Sequence, residues 1–356
     1  MRAVVLTARF LFSANYLKVC YNKPYKTKTE DIMDYSQILS QQFNIKEEYA
    51  KNIITLLDDG NTIPFIARYR KEMHGSMDDQ LIREFAEKLE YLRGLDKRRD
   101  EIRSLIDAQE KLTDEINLAL DKAATLSELE DIYRPYRPKR KTRASIAKEK
   151  GLEPLANDIL KQEKGFDPSK SAVDYIDEEK GVTSVEDAIQ GAMDIIAELV
   201  SDNAEIRKRI RNLTNANGVL VSVATDEEKD SVYKNYYDYK EPVKKIAGHR
   251  VLAVNRGEKE GFLKVSVETD SEKPLNSIFR AMITDKNQLC SDIIREACTD
   301  AYQRLIYPSI EREVRNDLTD TASENAMKVF AVNLKQLLMQ PPVKGKTKDL
   351  DRKSVV

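Results

Sequence analysis

One short stretch of the sequence carries most of the side chains that could bind a ligand. Residues 129–156 read LEDIYRPYRPKRKTRASIAKEKGLEPLA, and the part from 134 to 150, called here the basic segment, holds eight Lys or Arg and one acid, Glu149. Guanidinium groups bind phosphate oxygens through two parallel hydrogen bonds, and tyrosine rings can stack on bases. With Tyr133 and Tyr136 beside the cations, the stretch favours nucleic acid as the ligand.

The same residues allow a structural interpretation. Pro135 and Pro138 fix φ and remove two backbone donors, so we expect residues 133–138 to be stiff, extended and not regularly helical. Such a segment could equally be a solvated loop whose arginines pair with acids of neighbouring helices, because basic runs are common on protein surfaces. Composition alone does not decide between these two interpretations.

A second, smaller basic group lies in residues 61–80, NTIPFIARYRKEMHGSMDDQ, where three cations surround Tyr69. Its role would be to assist the basic segment by neutralising phosphates rather than by reading bases, since no recognition motif accompanies it. The candidate nucleic-acid-binding residues from both groups are Arg134, Arg137, Lys139, Arg140, Lys141, Arg143, Arg68, Arg70 and Lys71.

Composition limits what else the chain can do. Its 59 Lys and Arg nearly balance 61 Asp and Glu, giving a net charge of −2, so any polyanion binding must be local. Cys20, Cys290 and Cys298 are too few and too scattered for a disulfide framework or a zinc site, and His74 and His249 are far apart. We therefore expect no metal, no cofactor and a reducing, cytoplasmic location. No apolar run reaches the roughly 18 residues of a membrane span.

Catalytic templates are missing as well. The sequence contains no GxxxxGK[ST], GxGxxG, HExxH, GxSxG or CxxC motif. Its acid pairs, such as Asp58-Asp59 and Asp78-Asp79, stand at predicted helix ends, where capping explains them. A lone histidine such as His249 has no catalytic partner at a useful spacing and is interpreted as structural. We expect the chain not to be an enzyme.

Apolar spacing predicts a mainly α fold with a few short strands. Three- and four-residue steps predict a long helix over 78–109 and further helices over 185–200, 287–305, 310–318 and 321–339. Residues 219–224 and 262–268 have the β-branched or alternating pattern of strands. The basic residues of the long helix (Lys97, Arg98, Arg99, Arg103) and those of the run 207–211 are predicted to lie on exposed helix faces. The four tyrosines between 233 and 239 are predicted to pack against neighbouring helices.

The chain is predicted to have four parts. Residues 1–32 form an atypical extension, disordered or not native, because Met33 opens the first well-patterned segment and the earlier apolar run is a poor signal peptide. Residues 33–225 form an N-terminal helical domain, and 226–342 form a second, mostly helical segment with a short strand pair. Residues 343–356 form an unstructured tail.

Five long stretches of the sequence have a recognisable pattern: IPFIARYRKEMHG (63–75), residues 129–156, DYKEPVKKIAGHRVLAVNRGEKEGFLKV (238–265), RLIYPSIEREVRNDL (304–318) and VFAVNLKQLLMQPP (329–342). Together they resemble the Tex family of bacterial transcription-accessory proteins. The resemblance implies an elongated, multi-helical N-terminal region that in the family precedes a YqgF-type RNase H-like domain, helix-hairpin-helix modules and an OB-fold RNA-binding domain. This sequence departs from the family after Pro342, so we expect it to be a truncated N-terminal part.

Two hypotheses for function follow. The first is a non-catalytic, nucleic-acid-associated transcription accessory protein that makes sequence-nonspecific phosphate contacts through the basic segment, with RNA favoured over DNA and the transcription machinery as a further partner. The second is a protein-interaction scaffold that docks on RNA polymerase, the ribosome or its own C-terminal domains without touching nucleic acid. In that case the basic side chains would pair with acidic protein surface.

Overall fold

A computed structural model describes residues 29–228, 231–284 and 286–340. The chain divides into two compact units, Met1–Leu129 and Glu130–Val356. The predicted extension lies outside the described residues except for its last few positions, and the predicted tail lies outside them entirely. The predicted domain boundary at 225 falls elsewhere than this division. Compact units and evolutionary domains need not coincide, so the four-part assignment stays a prediction.

The first unit is helical throughout its described part. Its elements are α1 (Thr29–Phe43), α2 (Glu47–Asp58), α3 (Ile63–Tyr69), α4 (Lys71–His74), α5 (Asp79–Asp107), α6 (Asp114–Lys122) and the start of α7 (Leu126–Tyr133). An apolar core joins α1, α2 and α3 to the first half of α5, with Leu39, Ile53, Ile66, Ile82 and Phe85 buried in it.

The predicted long helix is confirmed as α5. The carboxylate of Asp78 caps its start by accepting the Leu81 N–H at 2.7 Å. The predicted exposure of its basic residues is wrong for Arg99, whose side chain is 17% exposed. Arg99 donates to the carbonyl oxygens of Leu120 and Ala123, while Arg103 bonds α6 side chains. These guanidinium groups hold α6 to α5.

A tight turn ends α4. Gly75 has φ +64°, in the left-handed region, and a Cβ added there would lie 2.6 Å from the ring of Tyr49. His74 is buried, and its Nε2 lies 3.1 Å from the carbonyl oxygen of Ile66. The end of α3 and the turn after α4 are thus fixed by local contacts.

The second unit is a helical body with one small sheet. Its remaining elements are α8 (Arg143–Glu149), α9 (Glu153–Lys161), α10 (Pro168–Ala172), α11 (Val185–Asp202), α12 (Ala204–Asn217), β1 (Val219–Ala224), β2 (Asp238–Pro242), α13 (Gly248–Lys259), β3 (Leu263–Glu268), α14 (Glu272–Met282), α15 (Gln288–Asp300) and α16 (Tyr307–Leu338), with 3-10 turns at Arg134–Tyr136, Val173–Tyr175 and Lys234–Tyr236. Its core centres on α11, where Ala192, Ile196 and Val200 are buried against α9 and α15.

The sheet has the order β2-β1-β3, and both pairings are antiparallel. The two predicted strands are confirmed as β1 and β3, which pair with each other, and β2, which was not predicted, pairs with the other side of β1. Val221 lies opposite Lys240 of β2 and Ser266 of β3. The predicted packing of the tyrosines is confirmed for Tyr233, which is buried in the small core beneath the sheet.

Residues 288–338 are helical without a break. A π-helical turn, Ala301–Ile306, joins α15 directly to α16. Pro308 therefore does not end a helix. It lies in the first turn of α16, where its missing N–H is tolerated. The predicted separate helices over 310–318 and 321–339 are one helix, α16.

The predicted mainly α fold is confirmed. Among the described residues, none of the helices has a stretch long and apolar enough to cross a membrane.

Candidate nucleic-acid interface

The basic segment is built differently from the extended arm predicted. Tyr133 ends α7, and the 3-10 turn that follows accommodates Pro135 near its start. Arg137 is extended, with φ −68° and ψ 131°. Helix α8 then begins at a reciprocal cap, in which the Ser145 N–H donates to Thr142 Oγ1 at 3.0 Å and the Thr142 N–H donates to Ser145 Oγ at 2.8 Å. Only residues 137–142, called here the connector, leave the helical conformation.

A buried ion cluster anchors the chain just before the basic segment. The Asp131 carboxylate accepts hydrogen bonds from Arg207 Nε and Arg211 Nη2, both at 2.6 Å. Arg207 also donates to Ser309 Oγ at 3.0 Å, and Arg211 pairs with Glu313 at 2.7 Å. The cluster ties α7 to α12 and α16.

The prediction that the run 207–211 forms an exposed face is wrong for Arg207, whose side chain is 1% exposed. Burial acts to lower the pKa of Arg211, but its hydrogen bonds to Glu313 and Asp131 raise the pKa above the ordinary value. The sequence did not predict the burial of these arginines, because charged residues on a helix are expected to lie on its exposed face. The available signal was spacing, since Ile206, Ile210 and the two arginines recur at helical steps on one side of α12.

Arg134 belongs to the edge of this cluster. Its Nε lies 4.0 Å from Asp131 Oδ1 and is buried without a hydrogen-bond partner among the described residues. Burial lowers the pKa of Arg134, and the nearby charge of Arg207 lowers it further. Arg134 is therefore partly withdrawn from solvent.

Lys139 is also engaged within the fold. Its Nζ lies 3.2 Å from Glu198 Oε1 and forms a second ion pair with Asp202. The Thr142 hydroxyl donates to the same Glu198 at 3.2 Å. Acidic side chains one turn apart on α11 thus hold the connector against the helical body.

Four other cations of the basic segment are exposed and weakly engaged. Arg137, Arg140 and Arg143 are exposed, and within the described part of the chain their side chains form no hydrogen bond or ion pair. Lys141 is 78% exposed, with Glu149 only at 3.9 Å. Four of the six predicted side chains are therefore available to an external anion.

The two tyrosines at the start of the basic segment, Tyr133 just before it and Tyr136 within it, do not offer two stacking faces. Tyr133 is 6% exposed and Tyr136 is half-buried. The predicted stacking role is wrong for Tyr133, because the end of α7 packs this ring into the unit. Phosphate contact is what the geometry of the segment supports.

The second basic group lies in the other compact unit. Arg68, Arg70 and Lys71 are all exposed at the junction of α3 and α4. The guanidinium carbon of Arg70 lies 5.5 Å from the centre of the Phe65 ring. Each basic group is therefore locally exposed in its own unit.

Two further features of the described residues concern metal-ligating side chains and a polar cleft. They contain no cluster of three His, Cys, Asp or Glu that could hold a metal ion. An open cleft of about 380 Å³ along α16 has polar walls, but Glu258 pairs there with Arg315, and Asn255 donates to Thr319 at 2.8 Å. These four side chains of the cleft therefore satisfy one another.

Family models match most of the chain. Residues 33–107 match the model described as Tex-like protein N-terminal domain, and residues 163–330 match the Tex central region-like model. The chain belongs to the Tex-like family. The second basic group lies inside the first matched region, whereas the basic segment lies between the two.

Similarity to individual proteins agrees with the Tex-like assignment. The chain is similar to YdcI of Bacillus subtilis, at 44% identity over 88% of this chain and 45% of the relative. It is similar to the transcriptional accessory protein Tex of Neisseria gonorrhoeae, at 36% identity over 87% of this chain and 42% of the relative. Human S1 RNA-binding domain-containing protein 1 is 31% identical over 90% of this chain and 34% of the relative. The chain thus spans less than half the length of these relatives.

Proposed function

We propose that this chain is a non-catalytic, nucleic-acid-binding part of a cytoplasmic transcription accessory protein, with RNA preferred to DNA. The observation that carries the proposal is the exposure of Arg137, Arg140, Lys141 and Arg143. Among the described residues these four side chains form no ion pair shorter than the 3.9 Å contact between Lys141 and Glu149. Relatives named for transcription and for an RNA-binding domain support the ligand class.

The proposed contacts are to phosphates and not to bases. Arg137, Arg140 and Arg143 supply planar forks that match phosphate oxygens, and Lys141 supplies a point charge. Arg134 and Lys139 have a positioning role in this proposal, because Asp131, Glu198 and Asp202 already attract them. The sequence preference should therefore be weak and the salt dependence steep.

A salt titration tests the proposal. Binding of a fluorescein-labelled single-stranded RNA is followed by anisotropy at increasing salt, for wild type and for the double variant Arg137→Gln/Arg140→Gln. Each lost phosphate contact reduces the slope of log K against log[salt] by about 0.7, so the double variant should lose about 1.4. Lys170→Gln, a change of an 86% exposed lysine elsewhere in the same unit, is the control and should leave the slope unchanged.

The variant Lys139→Gln tests whether Lys139 positions the basic segment or contacts phosphate itself. Because Lys139 is already paired with two carboxylates, its replacement should leave the salt slope nearly intact. An unchanged slope in the double variant would reject the phosphate site.

The protein-scaffold alternative has one observation in its favour. Lys139 shows that acidic protein side chains can engage this segment, as Glu198 and Asp202 do within the fold. Co-purification of RNA polymerase that survives nuclease treatment, together with no shift of RNA or DNA, would support the scaffold instead.

A further inference from the structure

An exposed aromatic side chain stands at the end of α3. Tyr69 is 64% exposed, a large fraction for a tyrosine in a helix of a packed unit. Its ring contacts Phe65, with 5.4 Å between ring centres and a tilt of 43°. Phe65 in turn lies under the guanidinium of Arg70. Tyr69 is thus supported from one side but not covered.

The cations around this ring have no acidic partner among the described residues. Arg68, Arg70 and Lys71 flank Tyr69 in sequence and are exposed, and in the described part of the chain none of them forms an ion pair or a side-chain hydrogen bond. An exposed ring with three exposed cations beside it combines the two elements of a single-strand binding surface, a stacking face and phosphate neutralisation.

Another exposed tyrosine of the same unit differs from Tyr69, because a cation lies over its ring. Tyr91 on α5 is 43% exposed, and the ammonium of Lys88 lies 4.8 Å from its ring centre. The α5 ring therefore already has a cation over it. Tyr69 has Phe65 as its aromatic neighbour, and the one cation–ring contact beside it is that of Arg70 with Phe65 among the described residues.

The backbone under Tyr69 is held in place. Ile66, one turn before it, is fully buried, and its carbonyl oxygen lies 3.1 Å from Nε2 of buried His74. A ring on a fixed backbone loses little freedom when a base stacks on it, which favours binding.

We propose that Tyr69 stacks on an unpaired nucleobase, while Arg68, Arg70 and Lys71 contact the adjoining phosphates. The ligand class is single-stranded nucleic acid with its bases accessible. This inference rests on the proposed function for its ligand, but it places a separate contact in the other compact unit.

Base-dependent binding tests the inference. A fluorescein-labelled oligouridine is compared with an abasic strand of the same length, using wild type, Tyr69→Ala, Tyr69→Phe and the matched control Tyr91→Ala. Loss of one stacked base should weaken oligouridine binding about tenfold in Tyr69→Ala. Tyr69→Phe keeps the ring and should bind like wild type, as should Tyr91→Ala. On the abasic strand all four proteins should bind alike.

Photo-crosslinking supplies a second readout that does not depend on the basic segment. Oligonucleotides carrying 4-thiouridine should crosslink to the peptide that contains Tyr69, and this crosslink should persist in the Arg137→Gln/Arg140→Gln variant. If the crosslink persists in this double variant and its salt slope equals that of wild type, the phosphate site of the basic segment is rejected and the stacking site at Tyr69 is retained.

Two results overturn the stacking site. One is a Tyr69→Ala protein that keeps wild-type circular dichroism and binds oligouridine as tightly as wild type. The other is an equal loss on oligouridine and on the abasic strand, which would make the cluster a charge surface only.

Discussion

The carboxylate of Asp131 is the best place to test how the second unit is held together. Asp131→Leu removes two charged hydrogen bonds of 2.6 Å from a side chain that is 4% exposed. Arg211 keeps Glu313, but Arg207 is left with Ser309 alone and almost no access to water. Removing one partner of a buried ion pair costs about 3–5 kcal/mol. For a unit of this size that corresponds to a fall of roughly 10 °C in Tm.

A double variant reverses part of the loss if the reasoning is right. In Asp131→Leu/Arg207→Met the uncompensated guanidinium is gone, so the double variant should be more stable than Asp131→Leu alone. Arg207→Met by itself should cost less than Asp131→Leu, because Asp131 then retains Arg211.

Urea unfolding followed by circular dichroism measures these differences, with Tm from calorimetry as a second readout. Lys161→Ala is the control, since its pair with Asp158 lies at the surface of the same unit and its removal should leave the unfolding midpoint in place. Additive losses in the double variant, or a loss in Asp131→Leu as small as that of the control, would refute the role assigned to the cluster.

Other predictions follow from single residues. Gly75→Ala should destabilise the first unit more than Gly60→Ala, measured by urea unfolding, because both have positive φ but only an added Cβ at 75 meets the ring of Tyr49. Burial raises the pKa of Cys298 to about 12, so native protein at pH 8 should protect this thiol from iodoacetamide, as mass spectrometry of peptides would show. Hydrogen bonds from the preceding loop lower the pKa of Asp187 below its ordinary value, so its stabilising contribution is present above the unfolded pKa and lost as pH falls. Asp187→Asn should therefore weaken the acid dependence of stability.

Local patterns predicted the elements that depend mainly on local spacing. The helix α5 follows from apolar residues at three- and four-residue steps after a capping Asp78, and β3 follows from strict alternation. Strand β2 escaped prediction because its Tyr239 and Glu241 have no alternating apolar pattern and only its pairing with β1 makes it a strand. The join between α15 and α16 escaped because Pro308 reads as a stop until the π-helical turn is known.

The sequence predicted which basic residues belong to the candidate site but not which of them are exposed. The sequence identifies the basic residues of the segment, yet it cannot tell Lys139, held by α11, from Arg140, which is exposed. That difference depends on acids 59 and 63 positions later in the chain, Glu198 and Asp202. The burial of Asp131 likewise has no local signal in the sequence, because its partners Arg207 and Arg211 lie on α12, more than 70 positions later.

The connector is tethered at both ends. Before the connector, the Asp131 cluster holds the chain, and after it α8 buries Ala144 and Ala147. Within the connector, Lys139 pairs with Glu198 of α11. Six residues between such anchors have already lost most of their backbone freedom on folding. An anion that meets Arg140 would therefore find a preorganised surface, and its association should show little ordering entropy and a small heat-capacity change.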